Sequence, residues 1–251
     1  MVYFILPIYN ERGNVHSLIS GIRKKMQGRE HVIIAVNDGS TDGTLGQLQA
    51  LNGQNLVIIS SLINMNVGAV FSAGIARVLA TANDDDAVII MESDQTSDFG
   101  LIDGLLDEIQ NNGMDIVIAS RFIPGGGYVG FPWSRRVLSF GANYLMRFYF
   151  PIIKVIDYSI FFRAYRKGIL KRAVEVFGPF GLIQSRGFSA NAELLIKLSL
   201  LTDRIKEIPF VYNYARKRGQ SKIRIFNTIN EYFTLISYLK IIMRKYRFLS
   251  G

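Results

Sequence analysis

The 251-residue sequence contains no cysteine. That excludes disulfides, thiol nucleophiles and thiolate-bound zinc. Histidine is almost as scarce: His16 falls in a helical pattern and His31 stands just before a strand-like run. Two separate imidazoles make neither a histidine metal cluster nor a Ser-His triad, and both read as surface positions. No apolar run has the length of a clean membrane span. The nearest, "VLSFGANYLMRFYFPIIKVI" (137–156), is interrupted by Arg147, Pro151 and Lys154, so it reads as an interfacial or buried segment. Met1 leads directly into "VYFIL" with no basic region and no cleavage site, so no secretory leader is expected. Solenoid-type internal repeats are also missing.

What is present is a globular composition, 49% apolar and 20% charged, with length enough for one substantial core. The net charge of +9 is unevenly spread. Residues 201–251 carry eleven Lys/Arg against three Asp/Glu, or +8, which leaves the first 200 residues near neutral at +1. A basic end implies an anionic partner: nucleic acid, a phosphorylated substrate or an acidic membrane surface.

The first 120 residues alternate between two patterns. Short apolar runs at 2–6, 32–36, 56–60, 87–91 and 115–119 read as strands buried on both faces. Between them Val15, Leu18, Ile19, Ile22 and Met26, and later Ile102, Leu105, Leu106 and Ile109, follow helical spacing. Ser40, Thr41 and Asp98 are expected N-caps. This alternation predicts an α/β, doubly wound, mostly parallel sheet. Such sheets bind ligands at the carboxyl ends of their strands. Here those ends read "PIYNE" (7–11), "NDGSTDG" (37–43), "NMNVGAV" (64–70) and "ESDQTSD" (92–98), all of them polar. After residue 120 come a loop pattern with three glycines at 125–127, expected to be a mobile flap, and a mixed region. A long helical pattern follows, with apolar residues at 226, 229, 233, 236 and 239.

Glu92 and Asp94 flank Ser93, so on an extended strand end both carboxylates point the same way. Two acids at a ligand edge suit a hard divalent cation, which takes its remaining ligands from water and phosphate oxygens. Asp38 followed by Gly39 at a second strand end suits a nucleoside; an ordinary βα turn reads equally well there. The segment does not carry the three-glycine dinucleotide fingerprint. "RKRGQSK" (216–222) places four cations around Gly219 and reads as a phosphate clamp. Nucleic acid is not an expected partner, because the tail tyrosines fall in a helical stripe rather than across a broad basic face.

The segments "PIYNERGNV" (7–15), "VNDGSTDGT" (36–44), "NVGAVFSAG" (66–74) and the acid pair resemble the nucleotide-sugar domain of inverting family-2 glycosyltransferases. "ASRFIPGG" (119–126), "WSRRVLS" (133–139), "DYSIFFRAYRK" (157–167), "IKEIPFVY" (205–212) and "RKRGQSK" resemble the dolichyl-phosphate mannose synthases and their bacterial polyprenyl-phosphate relatives. The resemblance covers residues 2 to about 223. It implies a GT-A type, Rossmann-like fold over residues 1–222, with a donor half to about 120 and an acceptor half to 222. A C-terminal amphipathic basic helix would occupy 223–251.

By the same resemblance Pro7, Tyr9, Glu11 and Asp38 hold the nucleoside, and Asn66, Gly68 and Ser93 complete the donor-binding set. Glu92 and Asp94 stand at the metal motif, for Mg2+ or Mn2+. Arg121, Arg135 and Ser139 match phosphate-gripping positions, and Arg216, Ser221 and Lys222 a basic loop closing over the phosphates. The implied reaction moves a hexose from a nucleotide diphosphate sugar to a polyprenyl phosphate. The implied place is cytoplasmic, peripheral on a membrane surface or beside a membrane-protein partner. Two departures stand out: Glu92 where the family has Asp, and Phe161-Phe162-Arg163 where it has Gly-Phe-Arg. A hydroxyl acceptor and a non-catalytic nucleotide-binding module remain as alternatives. Asp157 and Glu193 are candidate general bases.

Overall fold

The structure, a computed structural model, describes residues 1–51, 53, 55–217 and 225–246. The chain runs β1 (Val2–Ile8), α1 (Val15–Lys25), β2 (His31–Asp38), α2 (Thr44–Ala50), β3 (Leu56–Ser61), α3 (Asn66–Thr81) and β4 (Ala87–Ile90). It continues through α4 (Ile102–Gln110), β5 (Ile116–Ser120), β6 (Gly127–Val129), α5 (Trp133–Tyr149), β7 (Arg163–Arg166) and α6 (Lys167–Phe177). Last come α7 (Ala190–Ser199), β8 (Ile205–Pro209), β9 (Val211–Asn213) and α8 (Ile225–Tyr246).

Seven strands form one sheet in the order β3-β2-β1-β4-β7-β5-β8. β1 pairs in parallel with β2 and β4, β2 with β3, and β5 with β8. β7 alone runs antiparallel, between β4 and β5. The central strands are continuous apolar runs because helices cover both faces: every residue of β4 and β5 is buried, whereas edge strand β3 is only partly so. Helix α1 buries Val15, Leu18, Ile19 and Ile22, and α4 buries Ile102, Leu105, Leu106 and Ile109, at the spacing read from the sequence. The chain leaves β1 toward β2 and β3, then crosses back to β4 on the other side. That reversal opens a crevice beyond the carboxyl ends of β1 and β4.

Several local expectations are corrected. β7 lies in the region read only as mixed. Its first residue, Arg163, is fully buried and donates to the carbonyls of Asn191 (2.9 Å), Asp157 (3.3 Å) and Tyr158 (2.8 Å). Ser40 and Thr41 do not cap α2, which begins at Thr44, where Asp42 Oδ1 accepts from the Thr44 amide at 3.0 Å. Asp98 does cap a 3-10 turn, accepting from the Gly100 amide at 3.0 Å. The 125–127 glycines are not a slack flap. Gly127 opens β6 and donates to the Phe210 carbonyl at 3.1 Å, while a Cβ on Gly126 would meet the Ser120 carbonyl oxygen at 2.5 Å. In α8 the buried face is Tyr232, Leu235, Ile236 and Leu239, part of the common core, while Ile229 and Phe233 stay exposed. Among the described residues no helix is long and apolar enough to cross a membrane.

Candidate active site

The carboxyl ends of β1 and β2 are fastened to each other before either meets a ligand. Ser40 Oγ accepts from the Asn10 amide (2.9 Å), Thr44 Oγ1 from the Glu11 amide (2.9 Å), and Asn10 Oδ1 from the Thr41 amide (2.8 Å). Asp38 accepts from the amides of Met65 (2.6 Å) and Asn66 (3.0 Å), which holds the start of α3 against β2. Gly39 makes this possible: it sits at φ 65°, and a Cβ there would meet the Ile63 carbonyl carbon at 2.4 Å.

The acid segment does not continue β4, which ends at Ile90, so strand alternation is not what aligns Glu92 with Asp94. The backbone curls, with Gln95 at φ 72°. Asp94 Oδ1 accepts from the Thr96 amide (3.3 Å) and hydroxyl (2.5 Å), and Glu92 Oε2 from the Ser97 hydroxyl (2.7 Å). Ser93 Oγ donates to the Pro7 carbonyl at 2.9 Å, tying this turn to β1. Both carboxylates still line one cavity of about 850 Å³. Burial, and then the negative charge of Asp94, push the Glu92 carboxyl above the ordinary carboxylate range. Asp94 Oδ2 accepts from Lys217 Nζ, an ion pair with both side chains largely buried.

A cationic wall faces the acids. Arg121 is held by Asp157 in a two-pronged pair, Nε to Oδ2 at 2.8 Å and Nη2 to Oδ1 at 2.7 Å, and by Ser159 Oγ at 2.6 Å. Its guanidinium lies against Phe122, Tyr128 and Tyr212, each ring centroid within 5.9 Å. Burial would depress the Arg121 pKa, but Asp157 raises it overall. Burial would likewise raise Asp157, yet Arg121 holds its carboxyl below the usual range. Arg135 donates to Tyr214 Oη at 2.9 Å, and Ser139 Oγ lies 3.1 Å from Tyr128 Oη. β6 pairs with β9 behind this wall, carrying Tyr128 beside Tyr212.

Neither candidate base is available for proton abstraction. Both oxygens of Asp157 take Arg121. Glu193 is fully buried, paired with Lys197, and accepts from the amides of Gln184 and Ser185.

Of the residues singled out in the sequence, Pro7, Tyr9, Glu11, Asp38, Asn66, Glu92, Ser93, Asp94, Arg121, Arg135 and Ser139 line the one cavity. Gly68 does not: a Cβ there would meet the Ser185 carbonyl oxygen at 1.9 Å, so the position serves helix-to-loop packing. Arg216 is not in the lining either and faces Asp98 at 3.8 Å, half exposed. Ser221 and Lys222 lie outside the described residues. Sequence reasoning missed Lys217, Tyr212, Phe188 and Glu231 in the lining. Lys217 sat inside the basic motif unselected, and Glu231 was legible as the lone acid of a basic helix.

This sheet, with its ligand edge and added small β-pair, is of the GT-A type. The chain belongs to glycosyl transferase family 2, whose model matches residues 3–174. It is 31% identical to the dolichol-phosphate mannosyltransferase of Pyrococcus furiosus over 94% of this chain and 64% of that one, so it spans just under two thirds of that relative. The polyprenol monophosphomannose synthase of Mycolicibacterium smegmatis is 27% identical over 87% of this chain and 79% of that protein. Glucosyl-3-phosphoglycerate synthase from Mycobacterium tuberculosis, solved with Mn2+, UDP and glucosyl-3-phosphoglycerate, superposes with a TM-score of 0.66 at 19% identity. That match covers 95% of this chain and 78% of that one, and it speaks to the fold.

Proposed function

We propose that this protein transfers a hexose from a nucleotide diphosphate sugar to a polyprenyl phosphate, with inversion at the anomeric carbon. The reading rests on one observation: two carboxylates, Glu92 and Asp94, meet Arg121, Arg135 and Lys217 in a single cavity at the sheet's carboxyl edge. That is the charge pattern a metal-bound diphosphate and a second phosphate require. The polyprenyl-phosphate names of the mannosyltransferase relatives support the acceptor class. The donor half extends to about residue 120 and the acceptor half follows it.

The residues fit a divalent cation, Mg2+ or Mn2+. Among the described residues no cluster of three or more His, Cys, Asp or Glu forms a closed metal cage. Two carboxylates are the usual protein share for a metal that also binds substrate phosphate. Burial and then the charge of Asp94 raise Glu92, and a cation beside them offsets both. When bound, the metal supplies Lewis-acid neutralisation of the leaving diphosphate.

The protein's own groups do the rest. Asp38, Tyr9 and Glu11 line the nucleoside end. Arg135, and the Nη1 end of Arg121 that Asp157 and Ser159 do not take, orient phosphate. An acceptor phosphate oxygen attacks the anomeric carbon as the bond to the diphosphate oxygen breaks. The acceptor is already ionised at neutral pH, so no base is required, in keeping with Asp157 and Glu193 being fully engaged.

A lipid acceptor calls for a peripheral place on the cytoplasmic face of a membrane. Trp133, Val137, Phe140, Tyr144 and Phe148 form an exposed stripe along α5, with Arg147 and Lys154 close by in sequence.

The test is a panel of radiolabelled nucleotide hexoses offered with polyprenyl phosphate, with and without chelator, followed by organic extraction. Label should enter the organic phase only with metal. Asp94→Ala should cut transfer by about 100-fold or more with little change in thermal unfolding. Wild-type turnover in that variant would refute the reading.

A further inference from the structure

Helix α8 was read from the sequence as a tail, yet its first turns form a wall of the cavity. Asn227, Thr228, Glu231 and Tyr232 line it from one helix face. Glu231 is the only acid in α8. Its carboxylate lies over Gly187, where an added Cβ would come within 2.2 Å of both oxygens. Ser189 presents its amide and hydroxyl to the Glu231 carboxylate, yet one oxygen, Oε2, is buried with no hydrogen-bond partner among the described residues. Beside them Phe161 and Phe188 stack at 5.6 Å and also line the cavity.

A buried carboxylate oxygen with its lone pairs still open is an acceptor that a ligand donor can complete. A carboxylate only accepts, so it rejects phosphate and welcomes hydroxyl groups. The diphosphate and the acceptor phosphate both need the cationic wall, and a polyprenyl chain has nothing to donate. The donor's hydroxyls remain, and an apolar pocket with one placed polar group suits a sugar ring.

Resting on the transferase reading above, we propose that Glu231 is a specificity residue whose carboxylate accepts hydrogen bonds from hydroxyls of the transferred hexose. The C-terminal helix thereby takes part in choosing the sugar. Loss of a hydrogen bond to a charged group at such a site discriminates strongly between a ligand that carries the hydroxyl and one that does not.

The experiment compares wild type, Glu231→Gln and Glu231→Ala by calorimetric titration in Mn2+. The probes are UDP-glucose and GDP-mannose, each against its free nucleoside diphosphate. For the sugar nucleotide that wild type binds, Glu231→Ala should weaken affinity by about tenfold or more while the free diphosphate stays within about twofold. Glu231→Gln, which keeps the volume and one acceptor, should lose less. Equal loss on sugar nucleotide and free diphosphate would overturn the inference, because Glu231 would then hold the 187–189 loop or the ribose. Unchanged binding in both variants would overturn it as well. If wild type binds neither probe nor its diphosphate, the transferase reading itself falls, and this inference with it.

Discussion

Asp94 is held on both oxygens, by Thr96 on one and Lys217 on the other. A lysine there supplies the positive charge that a metal would bring. Lys217 and a divalent ion therefore compete for the same carboxylate when no donor is bound. Lys217→Ala should tighten Mn2+ binding to the free protein by about threefold to tenfold, read from the electron paramagnetic resonance of free Mn2+. Equal affinity would mean that the two do not compete. Arg121–Asp157 gives a second residue-level expectation. The folded Asp157 pKa lies below its ordinary value of 3.8, so its contribution is present above that pH and disappears as pH falls through the lower folded value. The melting temperature of the wild type should drop steeply below about pH 3.8. Asp157→Asn leaves Arg121 buried without its partner, and should cost about 3–5 kcal/mol at neutral pH with a shallower acid slope. Circular dichroism melts from pH 2.5 to 7 would check both.

At the scale of elements, α8 stands on its buried face. Leu239 is wholly enclosed, so Leu239→Ala should destabilise the protein by about 2–5 kcal/mol in urea unfolding. An exposed change such as Phe233→Ala should cost far less. The same helix marks where sequence reasoning reached its limit. Its apolar residues occupy more than one face, so the 3.6 period picked out 229 and 233, which are exposed, and missed Tyr232 and Leu235. Strands β1, β2, β4 and β5 were legible because burial on both faces leaves their middles as unbroken apolar runs. β7 was not, because it opens with Arg163, a charge satisfied by carbonyls that only the folded chain brings near. Most of the cavity was legible for a topological reason: ligand edges follow strands, and Pro7, Asp38 and Asp94 do so visibly. Glu231 arrives from a helix far along the chain, and its one local mark is being the lone acid there.

Over the whole molecule, charge and exposed apolar surface gather toward the C-terminal half. The α5 stripe, together with Ile229, Phe233 and Ile241 of α8, leaves large side chains facing water. An isolated exposed apolar residue is normal, but a run of five along one helix face is unusual for a free surface. Phe140→Ser combined with Phe148→Ser should reduce flotation with anionic vesicles by about tenfold or more, given ~1.5–3 kcal/mol per buried Phe. Nucleoside diphosphate binding should be unaffected. Undiminished flotation would locate the lipid contact elsewhere. The charge imbalance was readable from composition, and the stripe was not, because residues 137–156 read as one interrupted apolar run and Trp133 as part of the loop before it.

Because α8 encloses one side of the cavity, a shortened protein cut ahead of residue 225 would keep the sheet, the acid pair and the arginines and still be a bowl with its side broken out. Inhibitors screened against such a fragment would rank well for gripping the nucleotide and poorly for telling one hexose from another.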